Sequence, residues 1–116
     1  LSLPVARLGD DRTLATASDI HLCGYPGRGD GTAIAIPALY RGHSEDRLWM
    51  QFAAPYVDGY NGSIALDDRV ELVGIVYSVR PPDHDAGAAW YYLRPISVAK
   101  PLIAQAQRWL DSGPIR

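Results

Sequence analysis

Val70-Glu71-Leu72-Val73-Gly74-Ile75-Val76-Tyr77-Ser78-Val79 is the longest run of strand-forming residues in this chain. Its apolar positions fall on both faces of an extended strand, with Val70, Leu72, Gly74 and Val76 on one face and Val73, Ile75 and Tyr77 on the other. Apolar residues on both faces are typical of a central strand that is covered on both sides. The run therefore indicates a sheet built around residues 70–79.

Five shorter segments show the two-residue alternation of half-buried strands. They are Asp19–Gly24, Thr32–Leu39, Leu48–Phe52, Ile64–Leu66 and Trp90–Leu93. Six short strands separated by frequent turns are typical of a small antiparallel barrel or sandwich. We predict an all-β domain, a six-stranded antiparallel Greek-key barrel that occupies the whole chain.

The last part of the chain changes to a helical period. Apolar residues recur at helical spacing in Leu102, Ile103, Ala106, Trp109 and Leu110, which predicts an amphipathic helix at about residues 98–111. Ser97 is the expected N-cap, and Pro101 is expected in the first turn, where proline is tolerated. We expect the helix to cover one side of the barrel and to bury Trp109.

Composition excludes several classes of protein. The 116 residues are 47% hydrophobic and carry a net charge of -2, so a basic surface for nucleic acid is not expected. A single cysteine cannot form an internal disulfide, and no apolar run approaches the length of a membrane span. No signal peptide is evident, which leaves the compartment open with the cytoplasm as the default expectation.

Several motifs, in order, resemble the C-terminal barrel of trypsin-like serine proteases of the HtrA and glutamyl-endopeptidase kind. Leu8-Gly9-Asp10 leads into a strand that ends in Gly24-Tyr25-Pro26-Gly27, where the family has Gly-(Asn/Tyr)-Pro-x-Gly. Gly59-Tyr60-Asn61-Gly62-Ser63 is similar to the family's Gly-Asn-Ser-Gly-Gly segment, and Val73-Gly74-Ile75-Val76 resembles the next strand. Asn61 and Gly74 are thirteen positions apart, close to the family's spacing between nucleophile and glycine. The resemblance implies half of a double barrel.

This resemblance also implies roles for individual residues. Asn61 stands at the position of the nucleophilic serine, and an amide cannot replace a hydroxyl in that role. The backbone N–H groups of Gly59 and Asn61 would form an oxyanion-hole-like nest. Tyr77, Ser78 and Val79 would edge the substrate pocket, beside which an extended peptide would lie. Ser63 is the alternative nucleophile.

The implied function is that of a catalytically defective protease half-domain, which binds a protein or peptide, pairs with an N-terminal barrel or self-associates. Two alternatives remain open. One is an active serine endopeptidase that uses Ser63, and the other is an unrelated β-barrel interaction module in which Asn61-Gly62 is a hairpin turn. We predict no cofactor and no metal, because His21 and Cys23 have ligand spacing but no second pair follows.

Overall fold

A computed structural model of the chain describes residues 7–16, 18–25, 31–82 and 88–112. In chain order, the elements are β1 (Arg7–Leu8), a short 3-10 helix (Asp11–Thr13), β2 (Asp19–Gly24), β3 (Ile34–His43), β4 (Met50–Ala54), β5 (Ile64–Leu66), β6 (Glu71–Arg80), β7 (Ala89–Pro95) and α1 (Ile96–Asp111). The six predicted strands correspond to β2 through β7. The sequence did not predict β1.

Strands β2 to β7 close into a barrel in which each neighbouring pair is antiparallel. Around the barrel the order is β2-β3-β4-β7-β6-β5, and β5 pairs back with β2. The consecutive strands β4 and β5 do not pair with each other, so the order is that of a Greek key rather than a meander. The predicted six-stranded antiparallel barrel with a C-terminal helix is confirmed.

The core of the barrel is filled by alternate side chains of the strands. Among the described residues it includes Ile20, Leu22, Met50, Phe52, Tyr60, Val73, Val76, Tyr91 and Leu93. This alternation is the one read from the sequence, because successive side chains of a strand point to opposite faces. The buried apolar positions fix the register of the strands, while Ile34, Leu39 and Tyr77 of the same barrel are exposed.

β6 is the central strand of the sheet. It pairs with β1 in parallel and with β5 and β7 in antiparallel fashion. At Gly74 the strand passes so close to its neighbours that an added Cβ would lie 2.6 Å from Cε of Met50 and 3.2 Å from the carbonyl oxygen of Arg94. A side chain at this position would displace the core, which accounts for a glycine in the middle of a long strand.

Helix α1 differs from the prediction in position and in packing. It begins at Ile96, so Pro95 is the N-cap, and the prediction that Ser97 is the N-cap was wrong. Pro101 is the sixth helical residue and lies beyond the first turn. Only the first turn packs on the barrel, where Ile96 is buried, while residues 101–112 are all exposed. The expectation that the helix buries Trp109 was therefore wrong, because that side chain is 56% exposed.

Candidate functional site

The loop Gly59–Ser63 is the last part of the connection from β4 to β5 and contains a tight turn. The N–H of Ser63 donates to the carbonyl oxygen of Tyr60 at 3.2 Å, and Gly62 has a φ of +85°. Asn61 does not share the positive φ, which distinguishes this turn from the type I′ hairpin turn. Since β4 and β5 do not pair, the interpretation of Asn61-Gly62 as a hairpin turn between paired strands is wrong.

This loop is hydrogen-bonded directly to β6. The N–H of Gly62 donates to the carbonyl oxygen of Val76 at 2.8 Å, and the N–H of Val76 donates to the carbonyl oxygen of Ser63 at 2.7 Å. The loop therefore lies against the strand one residue before Tyr77. The structure brings the predicted nucleophile loop and the predicted pocket strand side by side.

Tyr60 holds the inner side of the loop in place. The ring is fully buried, and its hydroxyl lies 2.8 Å from the carbonyl oxygen of Leu22 and 2.7 Å from that of Ile34. Burial raises the pKa of Tyr60 to about 12, so the hydroxyl remains a proton donor at any physiological pH. The loop is thus tied to the β2–β3 hairpin as well as to β6.

The backbone N–H groups of Gly59 and Asn61 are available as hydrogen-bond donors. Neither N–H donates to a backbone acceptor among the described residues, in contrast to the N–H groups of Gly62 and Ser63. Both Gly59 and Asn61 are exposed. Two such amides on one loop have the chemistry to bind a carbonyl oxygen or an anion.

Ser63 has the opposite environment. Ser63 is only 5% exposed, and its Oγ packs against the backbone of Gly24. An added Cβ on Gly24 would lie 2.0 Å from that Oγ, which shows how closely the hydroxyl is enclosed. A peptide could reach Ser63 only after the loop had moved.

The three predicted pocket residues lie on β6 beyond the loop. Tyr77 is 63% exposed, because the register of β6 against β7 shifts between Val76 and Ser78 and turns this side chain outward. Tyr77 therefore does not pack in the core. Its ring contacts Trp49 edge-on at a centroid distance of 5.1 Å. Ser78 and Val79 are half-buried.

Trp49 extends this aromatic surface. The guanidinium of Arg94 lies 3.7 Å above the centre of its ring, and the same guanidinium donates to the carbonyl oxygen of Leu48 at 3.1 Å. A cation stacked on an aromatic face in this way holds the ring in one orientation. The rim beside Tyr77 is therefore ordered by its own contacts.

Sequence reasoning missed a buried polar cluster of Asp11, Tyr40, His43 and Ser97. Oδ1 of Asp11 accepts from the backbone N–H of Ser97 at 2.7 Å, and Oδ2 lies 2.9 Å from Nε2 of His43. Nδ1 of His43 is 2.5 Å from the hydroxyl of Tyr40. The distances fit an imidazole that donates from Nε2 to Asp11 and accepts at Nδ1 from Tyr40.

That cluster has the order carboxylate, imidazole, hydroxyl found in hydrolytic triads. Tyr40 is buried, however, which keeps a substrate away from its hydroxyl, and the same burial raises the pKa of that hydroxyl. The partners of Asp11 are 32 and 86 positions away in the sequence, and no local pattern connects them. The cluster anchors the first turn of α1 to the barrel.

Two cavities lie away from the predicted site residues. One of about 760 Å³ is lined mainly by small apolar residues of β2, β3 and β4, such as Ala38 and Ala53. Another of about 680 Å³ is lined by five carboxylates and Arg69. Within the described ranges, no three His, Cys, Asp or Glu side chains are grouped closely enough to hold a metal ion.

No protein-family model matches this chain, and no curated protein matches its sequence. Of the helices in the described part of the chain, none is both long enough and apolar enough to cross a membrane.

Proposed function

We propose that this chain is the C-terminal barrel of a trypsin-like serine protease unit that has lost its nucleophile and that it holds an extended peptide beside β6. The observation that carries the proposal is the docking of the Gly59–Ser63 loop on Val76. It brings the two unpaired amides of the loop next to the strand that the resemblance assigns to substrate binding.

The order of the strands supports this proposal over an unrelated interaction module. A meander would pair each strand with its neighbours in the chain, whereas here β7 lies between β4 and β6. The Greek-key order is the one expected for a protease half-barrel. A fold alone does not carry a function, and the loop is the feature of this barrel that points to peptide binding.

The chemistry of the loop favours binding over hydrolysis. Asn61, at the position of the nucleophile, has an amide that does not attack a carbonyl carbon. Ser63 has a hydroxyl, but it is enclosed against Gly24. What remains is a pair of N–H donors, which bind a peptide oxygen without cleaving the bond.

β6 has room for an added strand beyond this loop. β5 pairs with β6 only as far as Ile75. From Tyr77 to Val79, β7 is the one strand among the described residues that lies beside β6. Main-chain hydrogen bonds along such an edge would give affinity, and the exposed ring of Tyr77 would give selectivity.

A partner barrel is the second part of this proposal. Eight large apolar or aromatic side chains outside α1 are exposed among the described residues: Leu8, Tyr25, Ile34, Leu39, Leu48, Tyr56, Val70 and Tyr77. By the resemblance, an N-terminal barrel would cover part of this surface.

A fluorophosphonate probe tests the absence of catalysis. We expect no covalent labelling of the wild-type chain and none after Ser63→Ala. Labelling that Ser63→Ala abolishes would overturn the proposal in favour of an active endopeptidase.

Peptide binding is tested by titrating the ¹⁵N-labelled chain with capped pentapeptides of alanine in which the central residue is varied. We expect changes in amide chemical shift centred on residues 59–62 and 77–79. Tyr77→Ala should change the ratio between the affinities for the tightest and the weakest peptide by about tenfold. Tyr25→Ala is the matched control, since Tyr25 is exposed to a similar extent, at 65%. Shifts confined to other strands, or the absence of binding by every peptide, would contradict the proposal.

A further inference from the structure

The exposed face of α1 presents one continuous apolar stripe. It consists of Leu102, Ile103, Ala106, Trp109 and Leu110, whose large members are 66%, 43%, 56% and 68% exposed in that order along the chain. Counted from Ala106, these residues stand at -4, -3, 0, +3 and +4, and at 100° per residue they fall within about 120° of the helix surface. The stripe is therefore symmetric about Ala106.

The helix has little support from its own chain. Asp11 and the buried Ile96 hold the first turn, and Pro101 lacks an N–H with which to extend the hydrogen bonding of that turn. The eleven residues from Pro101 to Asp111 then extend into solvent. A helix of that length is marginal in water unless its apolar face is packed.

We infer that α1 pairs with α1 of a second copy of this chain, antiparallel, with the two-fold axis passing through Ala106. In that arrangement Leu102 lies opposite Leu110 of the second copy, and Ile103 lies opposite Trp109 of the second copy. Ala106 faces its own equivalent, which allows the axes to approach to about 8 Å. A symmetric stripe is what a two-fold interface requires, since each surface must complement itself.

Charges on the helix favour the antiparallel direction. Lys100 and Asp111 stand on the same flank of α1, about 120° and 140° from Ala106. An antiparallel pair places Lys100 at the level of Asp111 of the second copy on both sides of the axis. A parallel pair would place the two Lys100 side chains at one level and the two Asp111 side chains at another, on opposite flanks, with no opposite charge at either level.

The size of the stripe indicates a weak dimer. Its exposed side chains present roughly 500 Å² per copy, the size of a large patch on a typical monomer. Two copies would bury roughly 1,000 Å², which is at the lower end of specific interfaces. We therefore expect association in the micromolar range.

Analytical ultracentrifugation of the whole chain from about 5 to about 500 µM tests the association. We expect the wild type to change from monomer to dimer over this range, and Leu110→Glu to remain monomeric. Gln105→Glu adds the same charge on the flank away from Lys100 and should dimerise like the wild type. A monomeric wild type, or a dimer that Leu110→Glu leaves unchanged, would overturn the inference.

Cysteine cross-linking tests the axis. In a Cys23→Ser background, Ala106→Cys should form a disulfide-linked dimer under mild oxidation at least about tenfold faster than Ala104→Cys, whose side chain lies on the opposite face of the helix. Equal rates for the two variants would refute the two-fold axis at Ala106.

Charge reversal tests the direction of the pairing. Lys100→Glu should weaken the dimer by about threefold, and adding Asp111→Lys should restore it. Failure of the second substitution to restore the dimer would refute the antiparallel arrangement. These outcomes are independent of peptide binding and of probe labelling, so they do not depend on the proposed function.

Discussion

Asp11 is the residue whose replacement tests most directly how the helix is held to the barrel. Its carboxylate is fully buried and accepts hydrogen bonds from the backbone N–H of Ser97 at 2.7 Å, from the Ser97 hydroxyl at 3.1 Å and from Nε2 of His43 at 2.9 Å. Asp11→Ala removes all three acceptors at once. It leaves an N–H of the first helical turn and an imidazole N–H without partners.

The expected loss of stability follows from those contacts. Each hydrogen bond to a charged group contributes about 1.5–3 kcal/mol, and breaking a buried hydrogen-bond network by removing its shared acceptor costs about 3–5 kcal/mol. Because the three bonds share one carboxylate, we expect a total near the second range, about 3–5 kcal/mol. Asp11→Asn keeps an oxygen for the N–H of Ser97 and should cost less, about 1–2 kcal/mol.

Urea denaturation followed by far-ultraviolet circular dichroism measures this loss, and hydrogen exchange locates it. Relative to the wild type, Asp11→Ala should increase the exchange rates of the amides in the first turns of α1 more than those of the amides in β7. Asp10→Ala is the matched control, because Asp10 is the neighbouring carboxylate and its side chain accepts only from the backbone N–H and the guanidinium of the exposed Arg12. A loss below about 1 kcal/mol for Asp11→Ala would refute the reasoning.

Three further predictions follow from other contacts. Gly74→Ala should lower stability by about 1–3 kcal/mol in thermal denaturation, because the new methyl group would lie 2.6 Å from Cε of Met50; an unchanged melting temperature would contradict this. Because the folded-state pKa of Tyr60 is raised to about 12, stability should fall as pH rises from 10 to 12, and Tyr60→Phe should flatten that part of the profile in urea denaturation series. Asn61→Ser should not create protease activity against a fluorogenic peptide, since no imidazole is bonded to this loop among the described residues; measurable turnover would show that a base is within reach.

Local patterns were sufficient for the strands. The inward residues of β2, such as Ile20 and Leu22, alternate with exposed ones, and a half-buried strand has this pattern wherever it lies in a sheet. The same holds for β4 and β7. The existence of six strands and one helix could therefore be predicted from spacing alone, together with the approximate bounds of each.

The candidate site was only partly predictable. The order of the motifs indicated the Gly59–Ser63 loop and the strand residues Tyr77 to Val79, and the structure brings the loop to Val76. The burial of Ser63 against Gly24 could not be predicted, because it depends on how closely β2 approaches the loop. The outward turn of Tyr77 was also unpredictable, since one bulge reverses the alternation that places a side chain inside or outside.

For this chain, periodicity determined which segments become strands and which becomes a helix, because side-chain alternation is a property of the local backbone. It also determined that α1 has an apolar stripe. Only the tertiary structure decided that β7 enters the barrel between β4 and β6, that Asp11 meets His43 and Ser97, and that the stripe of α1 stays in solvent. These outcomes depend on contacts between residues far apart in the chain, whose free energies compete across the whole fold. No pattern within a short segment of sequence predicts them.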